Sequence, residues 1–414
     1  MLEYLRKIDL HLVGISLVIV GVPYGMYLNQ LYPMIKWSPI VMLLSLILIM
    51  PWKNLFVLKF PSSSKFFLWL LLFQAYMLFR GWNSPKMTDQ YMFYHIYIII
   101  LIIAFSGYRK RYSLSNLPSY LAIISFPLLV LGVFYCRIGL VATNEAWELG
   151  HFTTTYFLDP FTIAHGAYIC FFSTLCCNLK KKPMRFLCAF SFILCVYTIL
   201  YCQKRSPFLV LVGGVLYYLY IKELLNFKYI KKQSLLFLTI IFVIIISANI
   251  IPDFYIKTEN LFNNTLGGIS DILYGTEKDS GGSAVLRYTG REKAYNLISL
   301  KFGLHETIFG AGYLVMWIDN PIIESFVDLG IIGLLSYIGL VFFLPLRVMV
   351  KKIDNNVVIL GVMLTLHAIM TSMNSGNPYM YIKYAPVCLL MLIYSTYCSK
   401  ERLKNIWKKF KSGE

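Results

Sequence analysis

YMFYHIYIIILIIAFSGYRKRYS, residues 91–113, decides the fold. Its apolar run is long enough to cross a hydrocarbon core of about 30 Å. It ends on three consecutive bases, Arg109, Lys110 and Arg111. That pairing of a span with a basic terminus is the signature of a helix anchored on its cytoplasmic side.

The rest of the chain repeats the pattern. Of 414 residues, 58% are hydrophobic and 14% charged, and the mean hydropathy is +0.65. A soluble domain carries about 25% charge, so a bilayer is the better solvent for this chain. The net charge of +18 does not imply nucleic acid, because the bases lie in short clusters between apolar runs. There is no glycine-rich phosphate loop, C-x-x-C pair or H-x-x-x-H, so ATPase and zinc readings have no support. Most of the nine cysteines sit inside apolar runs, where they act as small apolar residues. Cys136 and Cys202 lie near outer helix ends, where pairing is open, although nothing in the sequence demands it. No small-residue cleavage site follows the first apolar run, which reads as a retained span.

The runs predict an all-α polytopic membrane protein of about twelve spans with both termini inside. They cover 9–29, 36–52, 64–80, 90–107, 118–139, 160–179, 186–202, 207–221, 234–252, 321–346, 357–374 and 384–399. Arg6 and Lys7, Lys180 to Lys182 with Arg185, Lys228 with Lys231 and Lys232, and Lys351 with Lys352 then all fall inside. Most acids fall outside. The expected organisation is a membrane region over 1–252, a long external loop over 253–320, spans ten to twelve over 321–399, and a basic cytoplasmic tail over 400–414.

Two outer segments, 137–159 and 253–320, exceed the length that connects neighbouring elements, which points to function or disorder. The second contains SAVLRYTGREKAY, residues 283–295. Thr289 and Glu292 fit a capping box, and Ala294, Leu297, Ile298 and Phe302 recur at helical spacing. A short amphipathic helix over 290–302 is predicted, with Arg287 just before it and Arg291 in its first turn. A cation there opposes the helix dipole by about 0.3–1 kcal/mol. A bound anion would reverse that sign. The alternative is pairing with Glu292, Asp279 or Glu277 on a solvated surface.

Other outer bases pose the same choice. Lys204 and Arg205 lie in the short turn of CQKRSPF, 202–208, while Arg80 and Arg137 end the third and fifth spans. They either snorkel to headgroups or converge on an anionic ligand. Candidate bases stand in WIDNPIIESFVDLGIIGLLSY, 317–337. Asp319 and Asn320 precede the tenth span; Glu324 and Asp328 share a face of its first turns. The alternative for these acids, and for Asp159, is ion pairing with the arginines or placement at a helix N-terminus. His95, His165 and His367 lie within spans and read as hydrogen-bonded packing.

The run from Ser283 to Gly339 resembles the outer loop and following span of the O-antigen polymerase and O-antigen ligase superfamily. The residues that carry the likeness are Arg287 and Arg291 before a helix, IFGAGY (308–313), the polar pair Asp319-Asn320, and DLGIIGLL (328–335). QKRSP (203–207) is similar to an earlier Ser/Arg element of that family. The ligases carry His-Asn where this chain has Asp319-Asn320, which favours polymerase over ligase.

The resemblance implies a GT-C-like membrane glycosyltransferase, metal-independent and cofactor-free, working by inversion at the outer face of the bacterial inner membrane. Its donor would be an undecaprenyl-pyrophosphate-linked oligosaccharide and its acceptor another lipid-linked repeat unit. Membrane lipids and a chain-length regulator are the implied partners. Arg205, Arg287, Arg291, Arg80, Arg137 and Asn320 would bind substrate, with Asp319 or Glu324 as base. The alternatives are an O-antigen ligase acting on lipid A-core, a lipid-linked oligosaccharide flippase or other transporter, and a non-catalytic assembly partner. A transporter predicts broken helices and charges inside spans.

Overall fold

The computed structural model describes residues 8–50, 52, 65–106, 114–138, 158–178, 182–224, 249, 254–274, 283–372 and 376–412. The side chains of 268, 269, 271–274, 283–287 and 399–412 are outside that description. Among the described residues the chain is all-helical, without strands. In order the helices are α1 Leu10–Leu31, α2 Trp37–Ile49, α3 Lys65–Gly81, α4 Asp89–Ser106, α5 Leu117–Arg137, α6 Pro160–Leu175, α7 Lys182–Cys202 and α8 Arg205–Ile221. Then come α9 Phe254–Tyr274, α10 Ser283–Lys301, α11 Leu304–Phe309, α12 Pro321–Ile338, α13 Leu344–Val350, α14 Asn356–Ser372 and α15 Tyr381–Ser412. One π-helical turn, Gly339–Phe343, joins α12 to α13.

A helix stands at each predicted span except the ninth, 234–252, which lies almost wholly outside the described residues. Among the described residues five stretches are long and apolar enough to cross a membrane: Leu10–Leu31, Asp89–Ser106, Leu114–Arg137, Lys182–Cys202 and Pro321–Val350. Trp37–Ile49, Arg205–Ile221 and Asn356–Ser372 are apolar but shorter. The outward faces are apolar too. Ile47, Leu72, Ile123, Phe186, Leu216 and Leu335 are all exposed, where a soluble amphipathic helix would present charge.

The loop expected over 253–320 is helical for most of its described length, but not as predicted. The helix expected over 290–302 begins at Ser283 instead. Thr289 and Gly290 are therefore interior, Thr289 is no cap, and Arg287 and Arg291 lie i,i+4 along one helix. Ala284, Val285 and Leu286 are compatible with helix, and a single glycine costs only about 1 kcal/mol, so the helix runs through the capping signal. Gly303 does punctuate the chain: it precedes α11, and its N–H donates to Glu306 Oε2 at 2.9 Å.

The chain divides into two compact units. One comprises Ser16–Leu44 and Leu117–Lys293. Its centre is α5, α6 and α7. Gly166 of α6 and Gly132 of α5 let the two helices approach closely; a Cβ on them would lie 3.1 Å from Leu128 and 3.2 Å from Ile163. Thr174 and Ser191 share a 2.7 Å hydroxyl contact between α6 and α7. Asp159 caps α6, accepting from the Phe161 and Thr162 N–H groups at 3.3 and 2.9 Å, with Pro160 opening the helix. Placement at a helix N-terminus is thus what Asp159 does.

The other unit comprises Met1–Ile15, Ser45–Asn116 and Ala294–Glu414. Ala294 of α10 packs with Ile318 and with Val327 of α12 in a small apolar core. Leu297, Ile298 and Phe302 surround it, so the predicted apolar periodicity of this helix faces inward as read. Within this unit α12 is broken, and the break organises the candidate site.

Candidate functional site

Gly330 interrupts α12 with φ 67° and ψ −162°. Gly310, which ends α11, takes φ 78° and ψ 170°. Both conformations belong almost exclusively to glycine. They let two backbones cross in direct contact: a Cβ on Gly310 would lie 2.2 Å from the Asp328 carbonyl carbon, and one on Gly330 would lie 2.3 Å from Ile308 O. The break releases carbonyls from the helical ladder, and the IFGAGY segment supplies their donors. Ala311 N–H bonds to Val327 O at 2.8 Å and Gly312 N–H to Asp328 O at 3.2 Å. From α3, Tyr76 reaches Phe309 O and Leu329 O at 3.1 and 3.3 Å, and Arg80 Nη2 donates to Gly310 O at 3.0 Å.

Three carboxylates follow from this crossing. Asp328 is fully buried. Its Oδ2 accepts from Leu314 N–H at 3.1 Å and Tyr379 OH at 3.0 Å, and its Oδ1 from Val315 N–H at 3.0 Å. Glu324 is also fully buried, with Oε1 accepting from Ile318 N–H at 2.5 Å. The Asp319 N–H faces the same carboxylate, and Oε2 has no hydrogen-bond partner of its own. Asp319 is half-buried and takes a positive φ of 58°. Its Oδ1 accepts from Gly376 N–H at 2.9 Å and from the Trp317 indole at 3.1 Å.

The carboxylates of Glu324 and Asp328 therefore bind backbone N–H groups rather than the arginines the sequence suggested. Their partners come from the irregular 310–319 segment, whose free donors must be satisfied once buried. Glu324 holds the Ile318–Asp319 backbone, and Asp319 in turn holds Gly376.

A polar and aromatic cluster surrounds these acids. Lys383, at the start of α15, is 1% exposed; its Nζ donates to Thr371 Oγ1 at 2.5 Å, and Glu324 and Asp319 are the acids whose fields it feels. Asn377 donates to Tyr91 OH at 2.7 Å and accepts from Tyr379 N–H at 3.0 Å. Tyr313 and Tyr379 lie with ring centroids 4.1 Å apart. Burial raises the phenol pKa of both, so they are neutral hydroxyls at any physiological pH. His95 is hydrogen-bonded packing, as read: Nδ1 meets Gln74 Oε1 at 2.8 Å and Nε2 meets Tyr313 OH at 3.1 Å.

The sequence reading missed Lys383, Asn377 and Tyr379. A single lysine within YMYIKYAPVCLL, 379–390, was the available signal, since an ionisable residue in the first turn of a span needs a partner or a wet cavity.

Asp319, Asn320, Glu324 and Arg80 belong to this unit. Asn320 is the N-cap of α12, accepting from Ile323 N–H at 3.2 Å. Arg137, Arg205, Arg287 and Arg291 belong to the other. Arg205 opens α8 and donates to Asn264 O of α9 at 3.0 Å. Lys257 of α9 sits 3.7 Å over the Tyr201 ring, and Lys204 5.5 Å over Phe161. Arg137 is exposed at the end of α5. Arg291 is half-buried on α10, where burial lowers its pKa and so disfavours the charged form, which a bound anion would favour. The Arg287 side chain is outside the described residues. Asp279 and Glu277, offered as surface partners of these arginines, lie there too.

The structure leaves all nine cysteines unbridged, Cys136 and Cys202 included. Among the described residues no group of three or more His, Cys, Asp or Glu is placed to hold a metal ion. Comparison with protein-family models, with curated proteins and with solved structures finds no match.

Proposed function

We propose that this chain is a membrane glycosyltransferase that polymerises lipid-linked repeat units of a surface polysaccharide at the outer face of the bacterial inner membrane. The observation that carries it is Asp319, a half-buried carboxylate whose Oδ1 is oriented by Gly376 N–H and the Trp317 indole. It stands beside buried Glu324 and Lys383 in the stretch that resembles the polymerase superfamily. In this reading Asp319 takes the proton from the acceptor hydroxyl as that oxygen bonds to the donor sugar's anomeric carbon. The bond from that carbon to the pyrophosphate oxygen breaks, and its electron pair leaves on undecaprenyl pyrophosphate. By the resemblance alone, Arg205, Arg287 and Arg291 would stabilise that charge. Glu324 acts through Asp319, and Arg80 and Asn320 hold the surrounding backbone. A geometry-fixed base contributes about 10²–10⁴ in rate.

The test is purified protein in lipid nanodiscs, supplied with undecaprenyl-pyrophosphate-linked repeat units, with products resolved by gel. Wild type is expected to give a ladder, and Asp319→Asn to reduce it by about 10²-fold or more. Arg291→Ala and Arg287→Ala are expected to leave monomer. An undiminished ladder in Asp319→Asn refutes the assigned base, and a wild-type protein that makes no ladder refutes the polymerase. A ligase would instead transfer once, to lipid A-core.

One observation favours a second reading. The break at Gly330, with Glu324, Asp328 and Lys383 buried near it, has the character of the discontinuous, charge-bearing helices of transporters. A flippase would move the lipid-linked oligosaccharide across proteoliposomes without lengthening it, and the same preparation distinguishes the two.

A further inference from the structure

The geometry points to a covalent modification site at the ends of α5 and α7: we infer that Cys136 and Cys202 are joined by a disulfide in the mature protein. Helix direction comes first. Ser119 near the start of α5 meets Cys177 beyond the end of α6 at 3.7 Å, while Gly132 near the end of α5 meets Ile163 near the start of α6. These two helices are antiparallel. Thr174 late in α6 meets Ser191 early in α7, and Asp159 at the head of α6 acts electrostatically on Cys202 at the end of α7. These two are antiparallel as well, so α5 and α7 run parallel.

Register follows. A Cβ on Gly132 would lie 3.7 Å from Thr198 Cγ2. Cys136 and Cys202 are each four residues further on, one helical turn along parallel neighbours. They should therefore face one another, in keeping with the electrostatic action of Cys136 on Cys202 and of both on the Tyr27 hydroxyl. Cys136 is 1% exposed and Cys202 4%.

Lys182 and Arg185 mark the opposite end of α7 as the basic one, so by the positive-inside bias Cys136 and Cys202 fall at the outer ends, where disulfides form and persist. The oxidant is a disulfide-bearing exchange protein of that compartment. Thiolate Cys202 attacks one of its sulfurs and expels the other. Cys136 then attacks the mixed disulfide at the Cys202 sulfur. The Cys136–Cys202 bond forms, and the exchange protein departs as a dithiol carrying both electrons and both protons. Because the packed state buries both sulfurs, exchange occurs as the chain folds, before the α5–α7 contact closes.

The same bundle holds its own control. Cys176, Cys177 and Cys188 gather near the opposite helix ends, on the basic side, and are expected to remain thiols. The full chain is expressed in a host with an oxidising extracytoplasmic compartment. It is denatured in detergent with one maleimide, then reduced and treated with an isotopically heavier one. Mass spectrometry is expected to find the heavy label on Cys136 and Cys202 alone, and a non-reduced digest to contain the peptide that joins them. Cys136→Ser should shift Cys202 wholly to the light label, and so should a host without the exchange protein. Light label on both cysteines of the wild-type chain overturns the inference, as does a bond from either one to another cysteine. The outcome is independent of any transfer reaction.

Discussion

Gly330→Ala is expected to abolish accumulation of the folded protein. A methyl group there would lie 2.3 Å from Ile308 O and 2.6 Å from Gly310 N. Both neighbours are backbone, so no side chain can swing aside. The conformation itself, φ 67° with ψ −162°, costs a residue with a Cβ about 1–3 kcal/mol before any clash. Relief would require α11 to withdraw, which would also break the Ala311–Val327 and Gly312–Asp328 bonds. Each broken bond leaves a buried donor or acceptor unpaired at about 1–3 kcal/mol. The sum exceeds the range of about 4–5 kcal/mol beyond which single substitutions are exceptional. Gly310→Ala should behave the same way, since it presses on the same crossing from the other side. Gly21→Ala is the contrast: its methyl would meet Val41 Cγ1 at an ordinary 3.5 Å, and stability should change by about 1 kcal/mol or less. Fluorescence-detected size-exclusion of tagged variants checks all three. A monodisperse Gly330→Ala peak at wild-type yield would mean that the two backbones do not meet there.

The helices were legible because a bilayer-spanning run is a long, uniform signal. Span four is recognisable from residues 91–113 without reference to any other part of the chain, and α4 runs Asp89–Ser106. The i,i+4 relation of Glu324 and Asp328 was legible for the same reason, since both lie on one regular turn. Their partners were not. Formal charge suggested arginines, but the donors are main-chain N–H groups of Leu314, Val315 and Ile318. Those become available only because residues 310–319 leave regular structure, and composition carries no trace of that. The break at Gly330 was hidden similarly: DLGIIGLL reads as continuous helix, and the positive φ is imposed by a segment some twenty residues earlier. The cap at Thr289 failed for a different reason. A local signal worth about 1 kcal/mol was outweighed by continuation of α10 back to Ser283. Lys383 was passed over because it was assigned to a loop, where a lysine needs no explanation; inside the first turn of α15 it does.

Asp328→Leu is expected to cost about 3–9 kcal/mol, because it strands three donors at once, each worth about 1–3 kcal/mol when unpaired. Leu314 N–H, Val315 N–H and Tyr379 OH all end on this one side chain. Leu keeps the branching of Asp, but its methyls are larger than the oxygens they replace, so some overpacking adds to the lost hydrogen bonds; Asp328→Asn is the near-isosteric comparison. Asp328→Asn keeps one acceptor oxygen but places an NH₂ where a second donor arrives, and should cost about 1–3 kcal/mol. Tyr379→Phe removes a single bond and should cost about 1 kcal/mol. Glu292→Ala, on an exposed position of α10, should lie within about 0.5 kcal/mol of wild type. The midpoint of thermal loss of the monodisperse peak in detergent ranks the series. The order Leu, Asn, Tyr379→Phe, Glu292→Ala is the expected one; an Asp328→Leu variant as robust as Glu292→Ala would show that Asp328 does not anchor the 314–315 backbone. The same variants separate anchoring from chemistry. Asp328 is fully buried and accepts from three protein donors, so Asp328→Asn, where it folds, should still make polymer. Asp319→Asn, at the half-buried carboxylate proposed as the base, should fold and make polymer about 10²-fold or more slowly.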